Sequence, residues 1–124
     1  MKSLKVPIFT EEYAVEVRIG KRVDILKSAA KYLGVSLKAI ENDYGNCRGR
    51  AWNALDDVYG VKHPIIVVDA DLPYTVAIAT LAHESSHALD FIEDFLGIND
   101  RNGEFHGHGI AAIMRRVGKV IKIK

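Results

Sequence analysis

The chain has 124 residues and a mass of 13.7 kDa, with 48% apolar and 27% charged residues and a mean hydropathy near zero. That composition excludes a disordered, low-complexity or collagen-like chain and suits one globular domain spanning residues 1–124. Seventeen basic against sixteen acidic residues leave a net charge of +1, so the overall balance permits a nucleic-acid partner without requiring one.

The longest apolar runs, such as residues 65–68, are far below a membrane-spanning length, and no membrane partner is expected. Residues 1–7 show neither the apolar stretch nor the small-residue site of a secretion signal, which points to a cytoplasmic chain. The single cysteine, Cys47, cannot form an internal disulfide and reads as an incidental thiol.

Residues 6–19 are rich in β-branched and aromatic residues, and 13–19 alternate, which predicts a strand ended by Gly20. Val23, Leu26, Ala30 and Leu33 recur at helical spacing, so residues 21–33 read as a helix stopped by Gly34. Residues 36–41 suit either a short helix or a strand, and 42–49 read as loop. A strand is expected over 50–55, a turn over 56–63 and a buried strand over 64–68. Asp69 and Pro73 then offer an acidic cap and a first-turn proline.

Residues 74–96 are helical in pattern throughout, up to Gly97, and a polar loop at 98–104 leads to a last helix near 107–117. The basic tail 118–124 reads as a protected edge strand, alternating apolar residues with lysines, or as a frayed end; the alternative is that Arg115, Arg116, Lys119, Lys122 and Lys124 contact nucleic acid. The order is β-α-β-β-α-α, an α+β fold: a short β-sheet packed on helices.

The chemistry-bearing stretch is His83-Glu84-Ser85-Ser86-His87, inside the predicted helix 74–96. Residues four apart share a helix face, so both imidazoles can reach one zinc ion. Glu84 stands beside them, placed to take a proton from water without being a ligand. A random chain of this composition would carry the pattern about 0.01 times. Ile78, Leu81, Ala82, Ser85, Ala88, Leu89 and Ile92 form the expected buried stripe, with His83 and His87 pointing away from it.

Zinc needs a third protein ligand. A metzincin would continue with glycine three residues after His87 and histidine six after; Asp90 and Glu93 stand there instead. A gluzincin-type ligand from the following helix would be Glu104. Two further histidines, His106 and His108, follow the loop where a helix hairpin would return over the first pair.

The run Thr80-Leu-Ala-His-Glu-Ser-Ser-His-Ala88, followed by His-Gly at the start of a helix ending in Arg-Arg-Val-Gly, resembles the SprT-like (Spartan-related) zinc metallopeptidase family over residues 80–118. Counting from His106 puts Ile110 at the family's aromatic position, Met114 at the next apolar one and Arg116-Val117-Gly118 at the end. Counting from His108 puts Ala112 and Arg116 at apolar positions, a poorer match. The resemblance thus favours His106 as third ligand, then His108, then Glu104. Ile110 departs from the aromatic, and one cysteine leaves no material for a zinc ribbon.

What this implies is one Zn2+ ion, held by His83, His87 and a third ligand, with Glu84 as general base for hydrolysis of a peptide or protein substrate. The strand at 64–68 is the expected pairing edge for an extended peptide. Tyr74, Arg101 and His108 are the candidates for an oxyanion donor. Asp90 and Asp94 read as a solvated acidic face or, alternatively, as carboxylates orienting an imidazole. Phe91, Phe95, Phe105 and Trp52 read as core. The rival from another class is a non-catalytic module in which zinc staples the two C-terminal helices. A metal-dependent nuclease suits the site less, for want of carboxylate clusters that hold magnesium.

Overall fold

A four-stranded sheet in the order β1-β2-β4-β3 organises the computed structural model, which describes residues 1–8, 10–55, 63–98 and 103–121. The predicted strand 6–19 resolves into two: β1 (Lys2–Ile8) and β2 (Thr10–Gly20) pair antiparallel with Val6 opposite Val15. Ser36 caps a helix by accepting a hydrogen bond from the Ala39 N–H at 3.1 Å. That settles the ambiguous stretch: after α1 (Arg22–Leu33), α2 (Leu37–Tyr44) runs on into what reads locally as loop. β3 (Gly49–Trp52) is shorter than expected, and most of the predicted turn 56–63 lies outside the described residues.

β4 (Ile65–Asp69) is parallel to β2 and antiparallel to β3. Its Ile66 and Val68 face one core and its Ile65 and Val67 the other, all fully buried, as a continuous apolar run predicts. β4 is therefore interior, which corrects the expectation that 64–68 is the pairing edge. The edge beside it is β3.

Helices α3 (Tyr74–Leu96) and α4 (Glu104–Val117) cover one face of the sheet and α1 with α2 the other. The result is an α+β fold of element order β-β-α-α-β-β-α-α, two elements more than the sequence pattern suggests. Asp69 does not cap α3. Its carboxylate accepts from the Asp71 N–H at 2.9 Å, and Pro73 occupies the cap position without a side-chain bond. Residues 118–121 form a turn rather than the expected edge strand, and 122–124 lie outside the described residues.

Candidate metal centre

The buried stripe of α3 comprises Ala77, Leu81, Glu84, Ser85, Ala88, Leu89 and Ile92. Relative to the sequence expectation it is rotated toward Ala77 and Glu84, while Ile78 and Ala82 are only half-buried. Gly49 of β3 accounts for the burial of Glu84. A Cβ there would stand 2.5 Å from Thr80 Cγ2, 2.9 Å from the Val67 carbonyl oxygen and 3.5 Å from Glu84 Cγ. Only a glycine lets β3 approach α3 this closely, and the approach encloses the stem of Glu84.

His83 and His87 sit on consecutive turns of the exposed face. Their Nε2 atoms are 3.2 Å apart and their rings meet edge to face at 87°. The contact is a hydrogen bond from one ring to the other, and its length is close to the roughly 3.3 Å that separates two nitrogens bound tetrahedrally to one zinc ion. Glu84 Oε2 lies 3.9 Å from His83 Nε2, close enough to share a water with it and too far for a direct hydrogen bond. The two side chains differ in exposure, 69% for His83 against 11% for Glu84.

Beside them opens a groove of about 620 Å³, walled by Asn46, Cys47 and Gly49 on one side and by Val76, Thr80, His83 and Glu84 on the other. The exposed Cys47 thiol thus borders the site.

The third-ligand candidates separate in space. His106 lies against α3, with Nε2 at 2.7 Å from Ser86 Oγ and Nδ1 at 3.2 Å from Glu93 Oε2 and 3.6 Å from Asp90 Oδ1. His108, two residues on, lines a different groove with Pro7, Ile8 and Arg115. Glu104 is exposed in the first turn of α4. Among the described residues, one group brings three ligand atoms within 4.8 Å of one another: Asp90, Glu93 and His106. The structure thus joins His83 with His87, and His106 with two carboxylates one turn further along the same helix, without merging the two sets.

Close helix packing places His106 there. A Cβ at Gly109 would overlap the buried Leu89 side chain, so this glycine sets how near α4 comes to α3. Neither Ser86 nor Glu93 stands out as a site residue in the sequence. Their signal is the i, i+4, i+7 spacing of Ser86, Asp90 and Glu93 along one helix stripe. Asp90 combines both readings offered by the sequence, being 57% exposed yet turned to His106.

Tyr74 is half-buried against the main core, and Arg101 lies outside the described residues. Phe91 and Phe105 pack on the core as expected, whereas Phe95 is 57% exposed and does not. Trp52 is buried, its indole N–H donating to Asp43 at 2.6 Å. On the far side of β3, burial pushes the Tyr44 hydroxyl up to about 12, helped by the field of Asp69 and, less, of Cys47 and Glu84, against the pull of Arg22.

No family model, curated protein or solved structure matches this chain. The functional reading therefore rests on the site's own chemistry. No described helix is long and apolar enough to cross a membrane.

Proposed function

We propose that the chain is a zinc-dependent peptidase of SprT-like type, with Glu84 as general base. The observation that carries the reading is the 3.2 Å span between the Nε2 atoms of His83 and His87, with the Glu84 carboxylate 3.9 Å from the first of them. A metal staple needs ligands alone, and an enclosed carboxylate that stands beside the pair without closing on it suits a base. His83 and His87 would hold the Zn2+ ion; His106, the expected third ligand, stands instead with Asp90 and Glu93 and would join the pair only by leaving them.

Zinc supplies Lewis acidity, lowering the pKa of water and polarising a carbonyl group. Glu84 accepts the proton that an attacking water sheds and returns it to the leaving amine. Its partial burial keeps the carboxylate poorly solvated and oriented toward the groove. β3, whose Gly49 lines that groove, is an edge strand of the sheet among the described residues, so an extended peptide can pair with that edge while presenting a carbonyl to Glu84. This geometry favours a peptide or protein substrate. Nucleic acid is not required by it, and the exposed Cys47 thiol suits a reduced, cytoplasmic setting.

The test is Glu84→Gln, which keeps shape and hydrogen bonding but cannot take the proton. Cleavage of an unstructured protein, assayed with and without DNA, should fall roughly 10²- to 10⁴-fold at unchanged zinc content. Equal cleavage by both proteins would refute the assignment. Loss of zinc from the variant would make Glu84 a ligand instead.

A further inference from the structure

Three ligand-type side chains converge between α3 and α4. Nδ1 of His106 stands 3.2 Å from Glu93 Oε2 and 3.6 Å from Asp90 Oδ1, and one ligand atom of each residue lies within 4.8 Å of the other two. Ionised carboxylates only accept hydrogen bonds, so a positive centre has to stand between them and the ring. That centre is the Nδ1 proton or a metal ion in its place. The far end of the ring suits both. Nε2 is 2.7 Å from Ser86 Oγ, and a hydroxyl can donate to a bare Nε2 or accept from a protonated one. With a metal on Nδ1 the proton moves to Nε2, and Ser86 then accepts it as the outer partner of a ligand imidazole does.

We propose that Asp90, Glu93 and His106 form a divalent-cation site of their own, separate from the His83–His87 pair and suited to a six-coordinate ion such as Mn2+. Two carboxylate oxygens and one imidazole nitrogen are the donor set that such an ion takes. Octahedral neighbours on bonds of about 2.1 Å stand about 3.0 Å apart. The separations of 3.2 and 3.6 Å therefore need to close only slightly, and the longer one belongs to Asp90, whose side chain is 57% exposed and able to adjust. Glu93 and His106 are the anchored members, 13% and 21% exposed. Beside the three opens a groove of about 460 Å³, walled also by Asp94 and Gly103, with room for the waters that complete the shell. Asp90 and Glu93 come from α3 and His106 from α4, so a bound ion ties the two helices together. The site uses neither His83 nor His87, and it stands or falls apart from the zinc reading.

Mn2+ titration of the full chain, followed by loss of the free-ion electron paramagnetic resonance signal, tests this. The wild type should take up one equivalent and melt at rising temperature as Mn2+ is added, because a ligand of the folded state stabilises it by mass action. The double variant His83→Ala, His87→Ala should take up Mn2+ as the wild type does. Glu93→Gln and Asp90→Asn should each raise the Mn2+ Kd by about tenfold or more, since losing a ligand costs at least as much as losing an outer partner. The exposure of Asp90 keeps its variant informative if Glu93→Gln does not fold. A wild type with no saturable Mn2+ uptake overturns the proposal. So does uptake that the double variant loses and both carboxylate variants keep, which would put the ion on the histidine pair. Zinc held by that pair in a protein indifferent to Mn2+ would leave the peptidase reading standing and refute this one.

Discussion

Gly109→Ala measures how closely α4 must approach α3. A Cβ at this position would stand 2.5 and 2.7 Å from the two methyl carbons of Leu89 and 3.1 Å from its Cγ. Leu89 is fully buried, so it cannot swing into solvent to make room. Two effects oppose each other. Replacing a mid-helix glycine by alanine favours the helix by about 1 kcal/mol, whereas overpacking a tight core costs about 1–3 kcal/mol.

At contacts this short the steric cost wins, leaving a net loss of about 1–2 kcal/mol. For a chain of this size that lowers Tm by about 4–8 °C. Gly107 is the internal control: it lies in the same helix, and a Cβ there would meet nothing within 4 Å. Gly107→Ala should therefore raise Tm by about 2–4 °C, from helix propensity alone. Thermal unfolding followed by circular dichroism reads both. If Gly109→Ala stabilises as much as Gly107→Ala, the two helices are not packed as described and the placement of His106 loses its basis.

The remaining expectations address the site and its frame. The double variant His83→Ala, His87→Ala should retain well under one tenth of the wild-type zinc by elemental analysis; unchanged metal content would put zinc elsewhere. His106→Ala should weaken zinc binding by about tenfold or more and His108→Ala less, since His106 bonds to α3 whereas His108 lines a groove with Pro7 and Ile8; the opposite ranking would reassign the third ligand. Gly49→Ala should cost about 1–3 kcal/mol in urea unfolding, because one of its clashes is with the Val67 backbone oxygen and cannot relax cheaply; a neutral result would mean that β3 does not crowd Glu84.

The Tyr44 hydroxyl has its pKa raised by burial to about 12 from 10.0. The unfolded chain therefore loses this proton first, and stability should fall as pH rises from 10 to 12. Tyr44→Phe should flatten that decline. At neutral pH it should cost little, because the buried hydroxyl has no hydrogen-bond partner among the described residues.

Much of this molecule is legible along the chain. The apolar run Ile65–Val68 reads as a strand buried on both faces, and it is one, because continuous β-branched residues can be satisfied only between two layers. The spacing of His83 and His87 reads as a shared helix face, and their Nε2 atoms meet at 3.2 Å, because residues four apart stack on any α-helix. The second strand hidden in residues 6–19 was not legible, since apolar alternation looks the same before and after a reversal of direction. Nor could local pattern identify β3, rather than β4, as the outer strand beside the histidines, because strand order is set by non-local pairing. The surroundings of the histidine pair were decided in three dimensions as well. Glu84 is enclosed because Gly49 lets β3 press against α3, and His106 meets Ser86 and Glu93 because Gly109 lets α4 do the same. A missing side chain has no periodicity to read; its consequence appears only when another element packs into the space it leaves.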